Sequence, residues 1–221
     1  MLYLIDDLKR DVCITLDEND TSGVLAGLGD PDTLTLEEII DSKIIDAART
    51  VTSVAPNVML ESGRSFANAP ITWSEVQNPG YGMGYLKLPA DFLRLVVFRM
   101  SDWDYGVTMP IREGDALYGR QFSRFPGIRG NPQRPVVALV NRQDGLYLEF
   151  FTCNSGQGVH IRHAQYIAQP TRINQGTQIE ICEKLRPAVV YYTAYMVALS
   201  QGETALAQTL QATAKELMQM P

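Results

Sequence analysis

Apolar residues recur with the spacing of an α-helix near both ends of this 221-residue chain, and this pattern constrains the fold more than any other feature. In a helix, residues three or four positions apart form one stripe, which must be buried against a partner. We expect helices over residues 4–17 and 35–54. Their stripes comprise Leu4, Leu8, Val12 and Leu16 in the first, and Leu36, Ile40, Ile44, Ala48 and Val51 in the second.

Local signals fix the ends of the second helix. Thr35 and Glu38 have the spacing of a capping box, in which the hydroxyl and the carboxylate each accept a hydrogen bond from an unpaired backbone N–H. Pro56 ends the helix because proline cannot continue its hydrogen bonds. Residues 19–33 are rich in Gly, Asp and Thr, which predicts a loop between the two helices.

Helical spacing returns after residue 182. Pro187 is tolerated in the first turn of a helix over 183–200, where backbone N–H groups have no partner. After the turn at 201–202, a second helix over 203–218 is expected to pack antiparallel to it. The predicted inner residues are Val189, Tyr192, Met196 and Leu199 in one helix, and Leu206, Leu210, Ala214 and Leu217 in the other.

The middle of the chain has the pattern of a β domain. Asp144-Gly145 suits the tight turn of a hairpin. We therefore predict an α+β fold, in which a helical bundle from residues 1–62 and 172–221 carries an inserted antiparallel β sandwich or barrel at 63–171. The predicted strands are Tyr85 to Leu88, Leu93 to Met100, Val136 to Asn141, Leu146 to Thr152 and Val159 to Ala168.

The formal net charge of −6 is unevenly distributed. Residues 1–63 contain thirteen acidic and four basic residues, whereas residues 94–172 contain ten arginines, no lysine and six acids. Such regions can attract each other between copies, and complementary charge sets register and partner choice. No apolar run is long enough to span a membrane, and the start lacks the basic region of a secretory signal, so we expect no export.

The residue types of a catalytic or metal site are sparse. His160 and His163 are the only histidines, and residues three apart in a strand point to opposite faces, which disfavours a shared metal ion. Phosphate-binding loops and nucleophile elbows are absent from the sequence. We expect no enzyme, no catalytic residue, no cofactor and no metal site.

Residues 118–135 form an arginine- and aromatic-rich segment that Gly and Pro keep from regular structure. Loops this long in compact domains are usually functional or disordered. Arginine with aromatics is typical of protein interfaces and of single-strand nucleic-acid surfaces. We favour protein docking, and a flexible loop without a partner remains an alternative. The candidate interface residues are Arg120, Phe122, Arg124, Phe125, Arg129 and Arg134.

Short phrases along the chain resemble the head–tail adaptor proteins of tailed phages, especially the tail-tubular or gatekeeper-ring adaptors of short-tailed phages. Leu88-Pro89-Ala90-Asp91-Phe92-Leu93-Arg94-Leu95 is similar to an "LP-x-DF-x-R" phrase that enters a strand in that family. The other matching phrases are Ile71-Thr72-Trp73, Arg134-Pro135, Tyr166 to Pro170, and Val190, Tyr192 and Ala194 to Ala198. The predicted loops at 19–33 and 118–135 depart from the family by their length.

The resemblance implies a structural protein of the virion, assembled in the cytoplasm of a host bacterium. Its partners would be further copies in a dodecameric ring, the portal protein and the downstream tail proteins. Packaged DNA would pass through the channel without sequence-specific binding, and no membrane would be involved. The alternative is a β module that binds a small ligand or a carbohydrate through Tyr81, Tyr85, Trp103 and Tyr105.

Overall fold

The computed structural model describes residues 1–19, 35–60, 63–74, 82–123, 125, 127–153 and 158–218. The predicted loop at 19–33 therefore lies outside the described residues, apart from Asn19, which is helical. The helices are α1 (Ile5–Asn19), α2 (Leu36–Val54), α3 (Ala116–Arg120), α4 (Arg186–Ser200) and α5 (Thr204–Leu217). The strands are β1 (Leu2–Leu4), β2 (Arg64–Ser65), β3 (Thr72–Ser74), β4 (Gly82–Lys87), β5 (Phe92–Met100), β6 (Ile111–Arg112), β7 (Val137–Arg142), β8 (Gly145–Cys153), β9 (Ile161–Ala168), β10 (Arg172–Ile173) and β11 (Gln178–Glu180).

The chain folds as two compact units, and the α+β class predicted from the sequence is confirmed. Residues 1–61 and 169–221 form the helical unit, and residues 62–168 form the β unit. These boundaries lie within three residues of the predicted ones. No helix in the described part of the chain has the length and apolar content needed to cross a membrane.

Four helices of the helical unit share one aliphatic core. The predicted capping box starts α2, since Thr35 N donates to Glu38 Oε2 over 2.8 Å and Glu38 N donates to Thr35 Oγ1 over 3.3 Å. Most of the predicted stripes on α1 and α2 are buried there. The buried members are Leu8, Val12, Leu16, Ile40, Ile44, Ala48 and Val51.

Two predictions in the helical unit were wrong in detail. Leu4 belongs to β1 and is 48% exposed, and Ile5 takes the inner position instead. On α4, Leu199 is exposed, and Tyr192 and Met196 are only half-buried. Because α4 packs against α1, α2 and α5 together, its contact face is broad and belongs mainly to small side chains. The buried residues of α4 are Ala188, Val189, Val190, Thr193, Ala194, Val197 and Ala198.

A small sheet that the sequence pattern did not predict completes the helical unit. β1 pairs antiparallel with β11, with Tyr3 opposite Ile179, and β11 also pairs with β10. This sheet joins the first residues of the chain to a segment just before α4. Its strands are two or three residues long, too short for an alternating pattern to reveal them.

The β unit is a sandwich of two sheets. One has the strand order β2-β9-β5 and the other β3-β4-β8-β7-β6, in which only the pairing of β6 with β7 is parallel. Each predicted strand is observed, with ends that differ by at most three residues. The predicted hairpin is also confirmed, with Arg142 opposite Gly145 and Gly145 at φ 139°. Residues from both sheets, including Leu95, Phe98 and Phe150, share one core.

Candidate functional site

Strand β8 presents alternate residues to the two faces of its sheet, and this alternation positions the candidate site. Phe150 belongs to the core between the sheets, whereas Phe151 packs in a separate cluster with Ala138, Val140 and Tyr118. Tyr118 and Phe122 lie against Phe151 on the outer face of the sheet. We call residues 111–134 the lobe, of which residues 124 and 126 lie outside the described residues. The lobe contains β6, α3 and most of the predicted interface segment.

Tyr118 anchors α3 to the outer sheet face. Its aromatic ring stands edge-on to Phe151 and to Phe122, with centroids 5.9 and 5.2 Å away. Its hydroxyl donates to Glu149 Oε2 over 2.9 Å. Burial, reinforced by the hydrogen bond to Glu149, raises the pKa of Tyr118 well above its ordinary value. Tyr118 therefore acts as a fixed donor.

Glu149 is the buried acceptor at the centre of this anchor. It is 3% exposed, and Arg142 Nη2 donates to its second oxygen over 2.7 Å. The hydrogen bond to Glu149 raises the pKa of Arg142, whose guanidinium also lies 4.2 Å from the centroid of the Tyr85 ring. Each carboxylate oxygen of Glu149 thus has a donor. This arrangement fixes the position of the lobe, and it does not leave the carboxylate open to act on a substrate.

Backbone groups of the lobe are held by buried and local hydrogen bonds. Gln121 is 2% exposed; its Nε2 donates to Leu117 O and its Oε1 accepts from Gly130 N over 2.8 Å. Asn131 Oδ1 accepts from Arg134 N over 2.9 Å. The N–H of Asp104 donates to Pro132 O, which ties the end of the lobe to the turn after β5. The lobe is therefore joined to the sandwich at several separate points.

The lobe carries large apolar side chains on its surface. Phe122 and Phe125 were predicted from the sequence, and they are 53% and 54% exposed. Leu117 and Ile128, at 50% and 53%, join them and were not among the predicted residues. The sequence offered one indication of their exposure: both are apolar residues in or next to a Gly- and Pro-containing segment that lacks strand alternation.

The predicted arginines of the lobe differ in placement. Arg120 and Arg134 are exposed, and Arg129 is half-buried. Arg124 lies outside the described residues. The structure therefore places Arg120 and Arg134 in the same surface segment as Phe122 and Phe125, where charged and apolar groups are both available to a partner.

Two of the phrases that carry the phage-adaptor resemblance meet inside the β unit. Asp91 accepts a hydrogen bond from Tyr166 over 2.9 Å and pairs with Arg64 over 2.7 Å. Phe92 stacks on the Tyr166 ring with centroids 5.7 Å apart. These contacts join β2, the entry to β5 and β9. The phrase at 88–95 therefore stabilises the sandwich and is not itself an exposed site.

The described aromatic residues among those proposed for a carbohydrate surface differ in placement. Trp103 is 2% exposed and packs in the core against Phe98 and Phe150. Tyr85 lies under Arg142, Tyr105 is half-exposed, and Tyr81 lies outside the described residues. In the part of the chain that the structure describes, no three His, Cys, Asp or Glu side chains come together as metal ligands.

Comparison with known proteins leaves the chain without an assigned family. No protein-family model matches it, and no curated protein matches it with statistical significance.

Proposed function

We propose that this chain is a non-enzymatic structural subunit, which forms an oligomeric ring between the portal and the tail of a tailed-phage virion. The observation that carries the proposal is the lobe, which is anchored through Tyr118 and Glu149 and exposes Phe122 and Phe125. A fixed projection with aromatic and arginine side chains has the composition of a binding hot spot. Because hydrogen bonds of Tyr118, Gln121 and Asn131 already hold the described part of the lobe, docking loses less conformational entropy than it would with a free loop.

The proposed ring needs two different surfaces on each subunit. Copies of one chain close into a ring only through head-to-tail contacts, in which one surface meets another surface of the next copy. The lobe supplies one such surface. The acidic residues of the helical unit are candidates for the other, since the formal charge of residues 1–63 is opposite to that of residues 94–172.

The resemblance to gatekeeper-ring adaptors supports the remaining parts of the proposal. It points to a dodecamer, with the portal protein on one side and tail proteins on the other. DNA would cross the central channel without sequence-specific contacts. The net charge of −6 is consistent with this role, because acidic walls repel the DNA backbone and reduce retention.

The proposal is tested by measuring assembly of the full chain alone and with the portal protein of the same virus. Light scattering coupled to size exclusion should give a discrete large oligomer, either alone or when the portal is added. A matched titration with glycans should give no binding. A chain that stays monomeric at every concentration beside the portal, and that binds a glycan, contradicts the adaptor function and favours the alternative of a carbohydrate-binding module.

A further inference from the structure

The surface of the lobe combines hydrophobic exposure with positive charge. Leu117, Phe122, Phe125 and Ile128 are each at least half-exposed within twelve residues of chain. Exposed large apolar side chains that are concentrated in one short segment indicate an interaction site. Residues 111–134 contain five arginines and two acids, which gives the segment a positive formal charge. Arg112, Arg120 and Arg134 are exposed, and so are the acids Glu113 and Asp115.

The outer face of α1 and the start of α2 have the complementary chemistry. Ile14 is 48% exposed, and Asp17 follows it by three positions, so both side chains lie on one side of the helix. Glu37, at the start of α2, lines a cleft together with Asp6, Cys13, Lys9 and Arg10. Lys9 is engaged by Asp41 over 2.9 Å, so Arg10 is the base of this cleft that is left beside Glu37. We call Ile14, Asp17 and Glu37 the acidic face.

The charges of the acidic face are not neutralised within the helical unit. Asp11 is paired with Arg186 over 2.6 Å, and Asp41 is paired with Arg172 over 2.8 Å and with Lys9 over 2.9 Å. By contrast, Asp17 and Glu37 form no ion pair among the described residues. The two exposed carboxylates are therefore available to an external cation.

We propose that the lobe of one copy docks on the acidic face of a second copy. Phe125 and Ile128 would cover Ile14, and Arg120 and Arg134 would approach Asp17 and Glu37. The inference rests on the proposed function, in that it specifies the two surfaces of the head-to-tail contact. It identifies a second copy of the chain as the partner because this same chain supplies the opposite charge beside an exposed apolar residue.

Nucleic acid fits the lobe less well than a protein surface. Single-strand binding uses open aromatic faces on which bases stack. Phe122 is instead held edge-to-face against Tyr118 and Phe151. Two of the other exposed apolar side chains of the lobe, Leu117 and Ile128, are aliphatic. A surface with aliphatic and arginine side chains suits a protein partner that presents an exposed apolar residue beside acidic side chains.

The test uses charge reversal on each surface of the full chain. The lobe variant is Arg120→Glu, and its matched control is Arg162→Glu, which reverses another exposed arginine of the β unit. The face variant is Asp17→Arg, and its matched control is Glu216→Arg on α5. Circular dichroism and thermal unfolding confirm that all four fold. Sedimentation then measures self-association up to millimolar concentration at low and high salt.

The expected result is that each test variant weakens self-association at least about tenfold and each control leaves it unchanged. Mixing the lobe variant with the face variant should restore one-to-one pairs, because each partner contributes its intact surface. The double variant Arg120→Glu/Asp17→Arg should also recover association, since the opposite charges have exchanged sides. Added salt should weaken the wild-type contact.

Several outcomes overturn the inference. Equal effects of test and control variants, failure of the mixed pair to form, or a wild-type chain that remains monomeric would each do so. Loss of single-stranded DNA binding in Arg120→Glu, with self-association intact, would assign the lobe to nucleic acid. The ring adaptor function is judged separately, by whether wild type and variants still join the portal. If one of the outcomes above overturns the docking inference and the chain still joins the portal, the adaptor proposal stands.

Discussion

The cores of the two units are built from different kinds of side chain. The core of the helical unit consists mainly of aliphatic residues and alanines, with Ile40 and Ile44 among the largest. The core of the β unit is built around aromatic rings: Phe98 lies 5.6 Å from Trp103 and 5.4 Å from Phe150, between centroids. Stability in the helical unit is therefore spread over many small contacts, and in the β unit it is concentrated in a few large ones.

This difference follows from backbone geometry. Alanines such as Ala48 and Ala194 let helices approach closely, so packing is distributed along their lengths. Two sheets lie about 10 Å apart, and large side chains are needed to fill the space between them. Truncating one core side chain to alanine should therefore lower the stability of the β unit more than that of the helical unit. The predictions below test that contrast, beginning with the largest expected effect.

Phe98→Ala should destabilise the β unit by about 3–5 kcal/mol. The reason is that Phe98 is fully buried and contacts three other aromatic rings, those of Phe66, Trp103 and Phe150. Urea unfolding followed by near-ultraviolet circular dichroism measures the change, with exposed Tyr105→Ala as the control. A loss no larger than that of the control would contradict the central role of the aromatic cluster.

Ile44→Ala should destabilise the helical unit by about 2–4 kcal/mol. Ile44 is 1% exposed on α2, and its loss leaves a cavity that alanine-rich neighbours only partly fill. The same urea experiment, followed by far-ultraviolet circular dichroism, gives the value. If Ile44→Ala costs more than Phe98→Ala, the comparison between the units is reversed.

Glu149→Gln should destabilise the β unit by about 1–3 kcal/mol and loosen the lobe. The substitution keeps the shape of the side chain but removes the charge that accepts from Arg142 and Tyr118. The pKa of Tyr118 should fall and remain above its ordinary value, because burial is the larger cause of its rise. Ultraviolet titration of tyrosine reports this shift. An unchanged titration would show that Glu149 does not hold the phenol.

Asp41→Asn should destabilise the helical unit by about 1 kcal/mol at neutral pH, the smallest of these effects. Burial alone would raise the pKa of Asp41, but the hydrogen bonds and charges of Arg172 and Lys9 outweigh it and lower the pKa below 3.8. A lowered native pKa adds stability above the unfolded value, and this stability is lost as the pH falls through the native pKa. Thermal unfolding between pH 2 and 7 is the measurement. Wild type and Asp41→Asn should converge at the acid end, and parallel curves would refute the assignment.

The difference between local contacts and contacts of distant segments explains which features the sequence could predict. Helices and their ends depend on near neighbours, so Thr35 and Glu38 identified the start of α2. The Asp144-Gly145 hairpin was equally local. The pairing of β1 with β11 was missed because its partners lie at distant points in the chain and the strands are very short. On α4 the predicted inner stripe was mostly wrong, because apolar residues lie on nearly every side of this helix and packing against three helices selected the buried face.

The sequence predicted which residue types the candidate site exposes, but it did not predict the contacts that hold the lobe in place. Arginine and aromatic content identified the segment, and Arg120, Phe122, Phe125 and Arg134 are in the lobe with exposed side chains. Its anchor could not be foreseen, because Tyr118 and Glu149 are far apart in sequence and meet only through the sandwich. Gln121 likewise looks like an ordinary polar loop residue until Gly130 is brought beside it.

The most direct test of the central claim is electron microscopy of the purified chain, alone and mixed with the portal protein. The account predicts closed rings with rotational symmetry, in which each lobe touches the helical unit of the next subunit. Single globular particles under both conditions, with no density added to the portal, would contradict it.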